Sequence, residues 1–445
     1  MGDCQTGAMP KYCTIEEAVA LLHPTDTIGM GLALGNPSRL LVGLNSRSDW
    51  KHLVLGATLL VSSADVLLQP GVELRSGFFG PIERLYASMG ASISFIPAGF
   101  RQFAVTMRRL APRVMAVQGR IDEAAGLVNL SLHVGGTRSE LLLAGADPNR
   151  VLIVEDNPLL PLTSSLSPFE NTIPLELVDL VVPGGDAPYV LAEEPSSEVD
   201  AAVAGVAATF VVDEATLQCG IGAIPNLVAK ELSTRSGGGY GIHSEMFTNG
   251  LLALHKAGKV TNTNKGVYDG ASVTTFALGS AELYAFLDQN PDVAFLPVDA
   301  INDPTIIRDN RNFTSINGAI AVDAVGQIVA EAVDGRQISG VGGHEDFVAG
   351  AGMQIDDVSM VVLHSTVEVG GERRSRIVPA HPAGAIVSTP RHHTGVIVTE
   401  FGAADLRGLS LAERARALAE IAHPDFRGAL KSAATQFGRS RVSFS

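Results

Sequence analysis

Cysteine is scarce: three in 445 residues, Cys4, Cys13 and Cys219. Their spacing makes neither a metal-ligand set nor a disulfide framework, which points to a reducing, cytoplasmic setting. Positive charge is also short. Against 47 Asp and Glu stand 32 Lys and Arg, a formal net charge of −15. That argues against a nucleic-acid partner as the main business, though not against a local basic pocket for a phosphorylated ligand. Long hydrophobic runs are missing. Gly, Pro or charge breaks every apolar stretch well short of a membrane span, so no membrane partner is expected. The opening MGDCQTGAMPKYC has no apolar h-region, and no signal peptide is read from it.

Several catalytic signatures are absent too. There is no HExxH, no HxH with a matched carboxylate and no Cys-His cluster, so no metal is expected. His392 and His393 are adjacent and would point to opposite sides of a strand, a poor arrangement for joint ligation. No GxSxG elbow offers a Ser-His-Asp nucleophile. No GxxxxGK followed by Ser or Thr offers a P-loop.

What is present builds a large core. Hydrophobic residues are 46% and charged residues 18%, which excludes wholesale disorder. The length exceeds one ordinary core, and two α/β domains are expected. Short Val- and Ile-rich runs, VLIV at 151–154, VSMVVL at 358–363 and GVIVT at 395–399, read as buried strands. Helices are expected at 197–210, 280–289 and 410–422. The first and last open with Ser in the N-cap position, and Glu413 follows Ser410 at capping-box spacing. The stretch 183–200, PGGDAPYVLAEEPSSEVD, reads as a linker. It divides the chain into an N-terminal domain, 1–189, and a C-terminal domain, 190–445. An internal echo links the halves: DTIGMGLALGNPSRLLVGL and ATLQCGIGAIPNLVAKEL both read strand, glycine turn, Pro, helix, with the Pro near the first helical turn.

Three stretches carry chemistry. In GIGAIPNLVAKEL, Gly220 and Gly222 let a strand turn sharply into a helix, leaving N–H groups free for a phosphate or a pantetheine amide; a tight structural turn is the other reading. Pro225 breaks any GxGxxG pattern, so a dinucleotide site loses ground. In GGGYGIHSEMFTNG, the lone carboxylate Glu245 stands on a strand emerging onto a loop, ahead of an Asn249-Gly250 turn. An isolated Glu is most often solvated or paired. His243, two residues away, shares its strand face and either orients the carboxylate or satisfies a core hydrogen bond. In SGVGGHEDFVAGAG, Gly340, Gly342 and Gly343 allow backbone N–H groups to converge as an oxyanion hole needs, or form a flexible loop. Asp346-Phe347, followed by small residues, suggests a helix start there.

Taken in order, LQCGIGAIPNLV, GIHSEMFTNG, NPDVAFLPVDAINDP, INGAIAVDAVGQI, SGVGGHEDF, SRIVP, RHHTGVIVTEFGAADLRG and AHPDFR resemble the acetyl-CoA hydrolase/transferase family of class I CoA-transferases, in particular its 4-hydroxybutyrate CoA-transferase branch. The N-terminal half matches more loosely, through GNPSRLLVGL and VQGRIDEAAGLVNL. The resemblance implies two similar open α/β domains with the active site at their interface, and Glu245 as the catalytic glutamate. It implies CoA contacts from Gly222, Ala223, Ile224, Pro225 and Asn226, with Ile320 and the Gly340, Gly342, Gly343 loop assisting. It implies no permanently bound cofactor, coenzyme A and acyl-CoA as substrates, small carboxylic acids as partners, and a homodimer or higher homo-oligomer.

The activity so implied is ping-pong transfer of CoA between short-chain acids such as acetate, butyrate, 4-hydroxybutyrate or a small dicarboxylate, through a glutamyl-CoA thioester. Acyl-CoA hydrolysis on the same scaffold is the alternative, and a catalytically inactive CoA-binding regulator is an alternative of another class. Met30 and Arg101 are candidates for the acyl pocket; Arg101 pairs with a distal carboxylate or with a surface acid. Ser244 for Thr, Asn249 for Asp, and His344-Glu345 for a Gln-hydrophobic pair depart from the family's pattern. EDNPLLPLT, at 155–163, lacks the basic residue often found after the corresponding Pro.

Overall fold

The computed structural model describes residues 9–192 and 195–439. Cys4, and Glu193 and Glu194 of the linker stretch, lie outside the described residues. The chain forms two compact units. One is the described part of Met1–Leu191 with Val273–Ile301; the other is the described part of Ala192–Ser272 with Asn302–Ser445. The chain therefore passes between units after Leu191, after Ser272 and after Ile301.

The first unit is built on a parallel sheet. Its strands run in the order Lys11–Tyr12, Leu180–Pro183, Val151–Asp156, Val114–Asp122, Thr25–Met30, His52–Ala57, Val72–Ser76 and Ser92–Phe95. The run at 151–154 is buried as its composition demands: Leu152, Ile153 and Val154 are solvent-free. Ile153 lies opposite Ala116 on one side and Leu180 on the other. Burying each such side chain contributes about 1.5–3 kcal/mol. Strand order reverses beside Thr25–Met30, the place where open α/β sheets leave a crevice at the strand ends. The Asn36 amide closes the turn after that strand by donating to Gly31 O at 2.5 Å.

The second unit has a six-stranded sheet in the order Gly241–Ile242, Thr216–Cys219, Phe313–Gly318, Val358–Val362, Val396–Thr399 and Gly402–Asp405. All neighbours are parallel except the last pair. Leu217 lies opposite Ile242 and Thr314, and Met360 opposite Ile316 and Val396. The strand order reverses beside Thr216–Cys219. Val361 and Ile397 pack with Leu418 and Leu430 in one core.

The helices start where the sequence says they should. Ser197 caps Glu198–Ala208 and Ser410 caps Leu411–Ile421, each in a reciprocal capping box, and Ser280 caps Ala281–Leu287. Such a cap contributes about 1 kcal/mol. The echoed stretches both fold as strand, turn and helix. Pro37 takes the N-cap position of Ser38–Gly43, and Pro225 lies inside the first turn of Ala223–Thr234.

Candidate active site

The segment that carries Glu245 starts as an edge strand and then bends. Gly241–Ile242 pairs with Thr216–Cys219, the ladder stops, and Met246–Phe247 resumes as a separate short strand. Ser244 holds the bend by donating from Oγ to Met246 O at 2.9 Å. The strand expected to emerge onto a loop here leaves its ladder after Ile242, where this side chain satisfies the backbone in place of a ladder. His243 and Glu245 consequently do not share one strand face. His243 is buried edge-on against the Phe313 and Phe347 rings, and its Nδ1 lies 3.2 Å from Asn310 Nδ2. Asn249 and Gly250 form no turn; they open the Asn249–Lys256 helix, with Thr248 as its cap. A Cβ on Gly250 would sit 2.9 Å from Ala229 Cβ, so glycine lets this helix close on Ala223–Thr234.

A buried lysine braces the segment from below. A Cβ on Gly241 would fall 2.2 Å from Lys265 Cγ. The Lys265 ammonium donates to Ile242 O at 3.1 Å and to Ala271 O at 2.5 Å. Burial pulls its pKa down to about 7, with the Asp269 charge opposing.

Around the Glu245 carboxyl three groups converge. Asn302 Nδ2 donates to Glu245 Oε2 at 2.5 Å and to Asp346 Oδ2 at 3.3 Å. The backbone N–H of Gly343 is the third. Glu245 is half-buried, with its carboxyl set between the Asn302 amide and the Gly343 N–H. Burial pushes its pKa up to about 8. The Asn302 amide and the Gly343 N–H hold it down, and the charge of Asp346 adds to the rise. A Cβ on Gly343 would stand 1.8 Å from Glu245 Oε2 and 2.1 Å from Asn302 Nδ2. Only glycine fits there, for lack of room, since its φ of −97° suits any residue. Gly342, at φ +55°, makes the preceding left-handed step, and Gly340 is buried.

The His344–Gly350 helix starts at this loop, as the Asp346-Phe347 composition suggests. Its first three side chains are each tied to a different partner. His344 Nε2 lies 2.9 Å from Thr389 Oγ1, the Glu345 carboxylate pairs with His393 Nδ1, and Asp346 holds Asn302. His392 and His393 lie in a turn and not on a strand, with ring centroids 4.3 Å apart. Among the described residues no cluster of three or more His, Cys, Asp or Glu could hold a metal ion. No described helix is long and apolar enough to cross a membrane.

The remaining candidates fall in two places. Gly222 caps Ala223–Thr234 at φ +128°, a conformation reserved for glycine, and Ala223, Ile224 and Pro225 form its first turn. Asn226 Oδ1 accepts from Gly250 N–H at 3.3 Å, so this oxygen serves helix packing. Ile320 follows Phe313–Gly318, its N–H bonded to Val329 O. Met30 and Arg101 belong to the other unit: Met30 ends a strand at 1% exposure and Arg101 is exposed in the Phe100–Gln102 turn. Sequence reasoning missed Asn302, Asp346 and Lys265. Asn302 lies within NPDVAFLPVDAINDP, where Asn-Asp-Pro reads as an ordinary helix-entry loop.

A family model described as the acetyl-CoA hydrolase/transferase C-terminal domain matches residues 279–434. The chain is 37% identical to the 4-hydroxybutyrate coenzyme A transferase of Clostridium kluyveri over 66% of its own length and 67% of that protein's. It is 32% identical to the succinyl-CoA:cyclohexane-1-carboxylate CoA transferase of Geobacter metallireducens over 96% of each. Among solved structures it resembles RipA from Yersinia pestis, with a TM-score of 0.86 and 31% identity over 96% of this chain and 98% of that one.

Proposed function

The chain belongs to the acetyl-CoA hydrolase/transferase family, and from that premise we propose that it moves CoA between short-chain carboxylic acids through a thioester on Glu245. The observation that carries this reading is the enclosure of the Glu245 carboxyl by the Asn302 amide and the Gly343 N–H. A carboxylate held by two donors and kept from bulk water is set up for covalent exchange.

The Glu245 carboxylate attacks the thioester carbonyl of an acyl-CoA and expels CoA thiolate, leaving an acyl-glutamyl anhydride. The thiolate then attacks the glutamyl carbonyl and releases the acid as its carboxylate. The enzyme now carries glutamyl-CoA, no net proton has moved, and one thioester has replaced another. An acceptor carboxylate runs the steps backwards. Asn302 Nδ2 and Gly343 N–H face the glutamate's own carboxyl, so they serve the oxyanion formed when a nucleophile adds to the glutamyl carbonyl. One such donor is worth about 3 kcal/mol in barrier. Only ionised Glu245 attacks. With a pKa of about 8, the first half-reaction rises with pH through that value.

CoA approaches, in this reading, along the glycine turn at 222–226 and near Ile320, with Met30 and Arg101 as candidates for the acyl pocket and no permanent cofactor. The relatives named above support small acids as substrates. We extend the reading to a cytoplasmic homodimer or larger homo-oligomer, as the resemblance implies; sedimentation velocity checks the assembly.

The test is mass spectrometry of the protein incubated with acetyl-CoA, butyryl-CoA and succinyl-CoA in turn. A CoA-sized adduct on the peptide containing Glu245, lost in Glu245→Ala, is expected. Thioester loss that needs no acceptor acid would favour a hydrolase, and tight CoA binding with neither adduct nor exchange would favour a regulator.

A further inference from the structure

Asn302 is held in an unusual way. Its Oδ1 is buried and meets no hydrogen-bond donor among the described residues. Its Nδ2 meets two carboxylates, Glu245 and Asp346. A primary amide that turns over about its last bond exchanges donor for acceptor. With nothing gripping the oxygen, the nitrogen's two acceptors alone decide which way the group faces. One of them changes during the reaction: once Glu245 carries CoA it is a neutral thioester and a far weaker acceptor. The other, Asp346, is 9% exposed and sits in the first turn of the His344–Gly350 helix. The same turn is pinned by His344 to Thr389 and by Glu345 to His393.

Resting on the glutamyl-CoA reading above, we propose that Asp346 is a positioning residue: it holds the Asn302 amide so that an N–H stays on Glu245 when that group has become a thioester. Without it, the amide oxygen can swing toward the glutamyl carbonyl and oppose the charge that builds there in the second half-reaction. Asp346 also places a negative charge beside Glu245, favouring its protonated form. The other titratable groups of these segments make contacts of their own. His243 packs against Phe313, Phe347 and Tyr268, with Asn310 at its Nδ1. His344 and Glu345 face Thr389 and His393, and Asp303 accepts from Thr305.

The experiment compares Asp346→Asn with the parent full-length enzyme in two readouts. One is the pH dependence of CoA loading onto the Glu245 peptide; the other is single-turnover discharge of preloaded glutamyl-CoA by acetate. Expected are discharge slowed tenfold or more, a KM for acyl-CoA changed less than twofold, and a loading midpoint moved about one pH unit lower, since a neighbouring negative charge is gone. A purely structural role would leave that midpoint in place. Wild-type discharge or an unmoved midpoint in a folded Asp346→Asn overturns the proposal. So does a loss that multiplies in full with that of Asn302→Ala, because a residue acting through Asn302 has little left to lose without it. Should Asp346→Asn not fold, Asp346→Glu keeps the charge but shifts the acceptor. It should keep the parent midpoint with discharge several-fold slower, and parent-like discharge overturns the proposal. A parent enzyme that never loads CoA on Glu245 fails the transfer reading itself, which is a separate result.

Discussion

Gly343 and Glu245 are packed so closely that a methyl group on the glycine would stand 1.8 Å from the carboxylate oxygen. The contact sets the N–H donor against the carboxyl and leaves no slack for any larger residue. Gly343→Ala should therefore push Glu245 off both donors while the helix behind it still forms. Losing even one oxyanion-type donor costs about 3 kcal/mol, roughly a hundredfold or more in rate. Steady-state exchange between acetyl-CoA and butyrate checks this: kcat should fall by about that factor, with KM for acyl-CoA much less affected.

Glu245 also leaves a mark on stability. Its carboxyl ionises near 4.5 when unfolded and near 8 when folded. Between those values the native state holds a proton that the unfolded chain has lost. The group's stabilising contribution is full below pH 4.5 and is lost as pH rises toward 8. Glu245→Gln has no such proton to lose. Thermal melts should place this variant above the parent at pH 8, with the gap closing near pH 4.5. A gap independent of pH would contradict the assigned burial.

Lys265 gives the opposite slope. Its ammonium titrates near 7 in the fold against 10.5 unfolded, so its contribution is full above 10.5 and is lost as pH falls toward 7. In Lys265→Met the stability lead of the parent should widen between pH 7 and pH 9.5 in urea titrations. The variant also strips the donor from Ile242 O and Ala271 O. Unsatisfied buried carbonyls cost about 1–3 kcal/mol, and turnover should fall because this brace lies under the Glu245 segment.

The Glu345–His393 pair is about a third exposed on both sides, so screening leaves it little weight in global stability. Its leverage is local: it pins the helix turn that follows Gly343. His393→Ala should leave the melting temperature within about 2 °C of the parent and lower kcat several-fold. A scan of acyl donors is the informative measurement, with relative rates among acetyl-, butyryl- and succinyl-CoA expected to change.

Much of this was written locally. Strands at 151–156, 358–362 and 396–399 follow from short runs of Val and Ile that have nowhere to go but a buried sheet. Helices capped by Ser197 and Ser410 follow from side chains that satisfy free N–H groups within three residues. Those signals are short-range, so the one-dimensional pattern contains them. That His243 and Glu245 share no strand face escaped, because the Ser244 hydroxyl competes with the ladder and a Ser in a strand-like run gives no sign of that choice. The return of 273–301 to the first unit escaped as well. Its membership rests on contacts such as Phe276 against Phe100, which no composition shift announces.

By itself the sequence determined that this is an α/β protein, and singled out Glu245 as the carboxylate to watch. Only the tertiary structure decided what holds that carboxylate. Asn302 is 57 residues from Glu245 and 44 from Asp346 along the chain, and Lys265 reaches back to Ile242 across 23. Periodicity and capping act over a few residues, whereas these bonds exist only because packed strands and helices bring distant loops to one point. The raised proton affinity of Glu245 comes from burial and from the charge of Asp346, 101 residues away in sequence, while Asn302 and Gly343 oppose it.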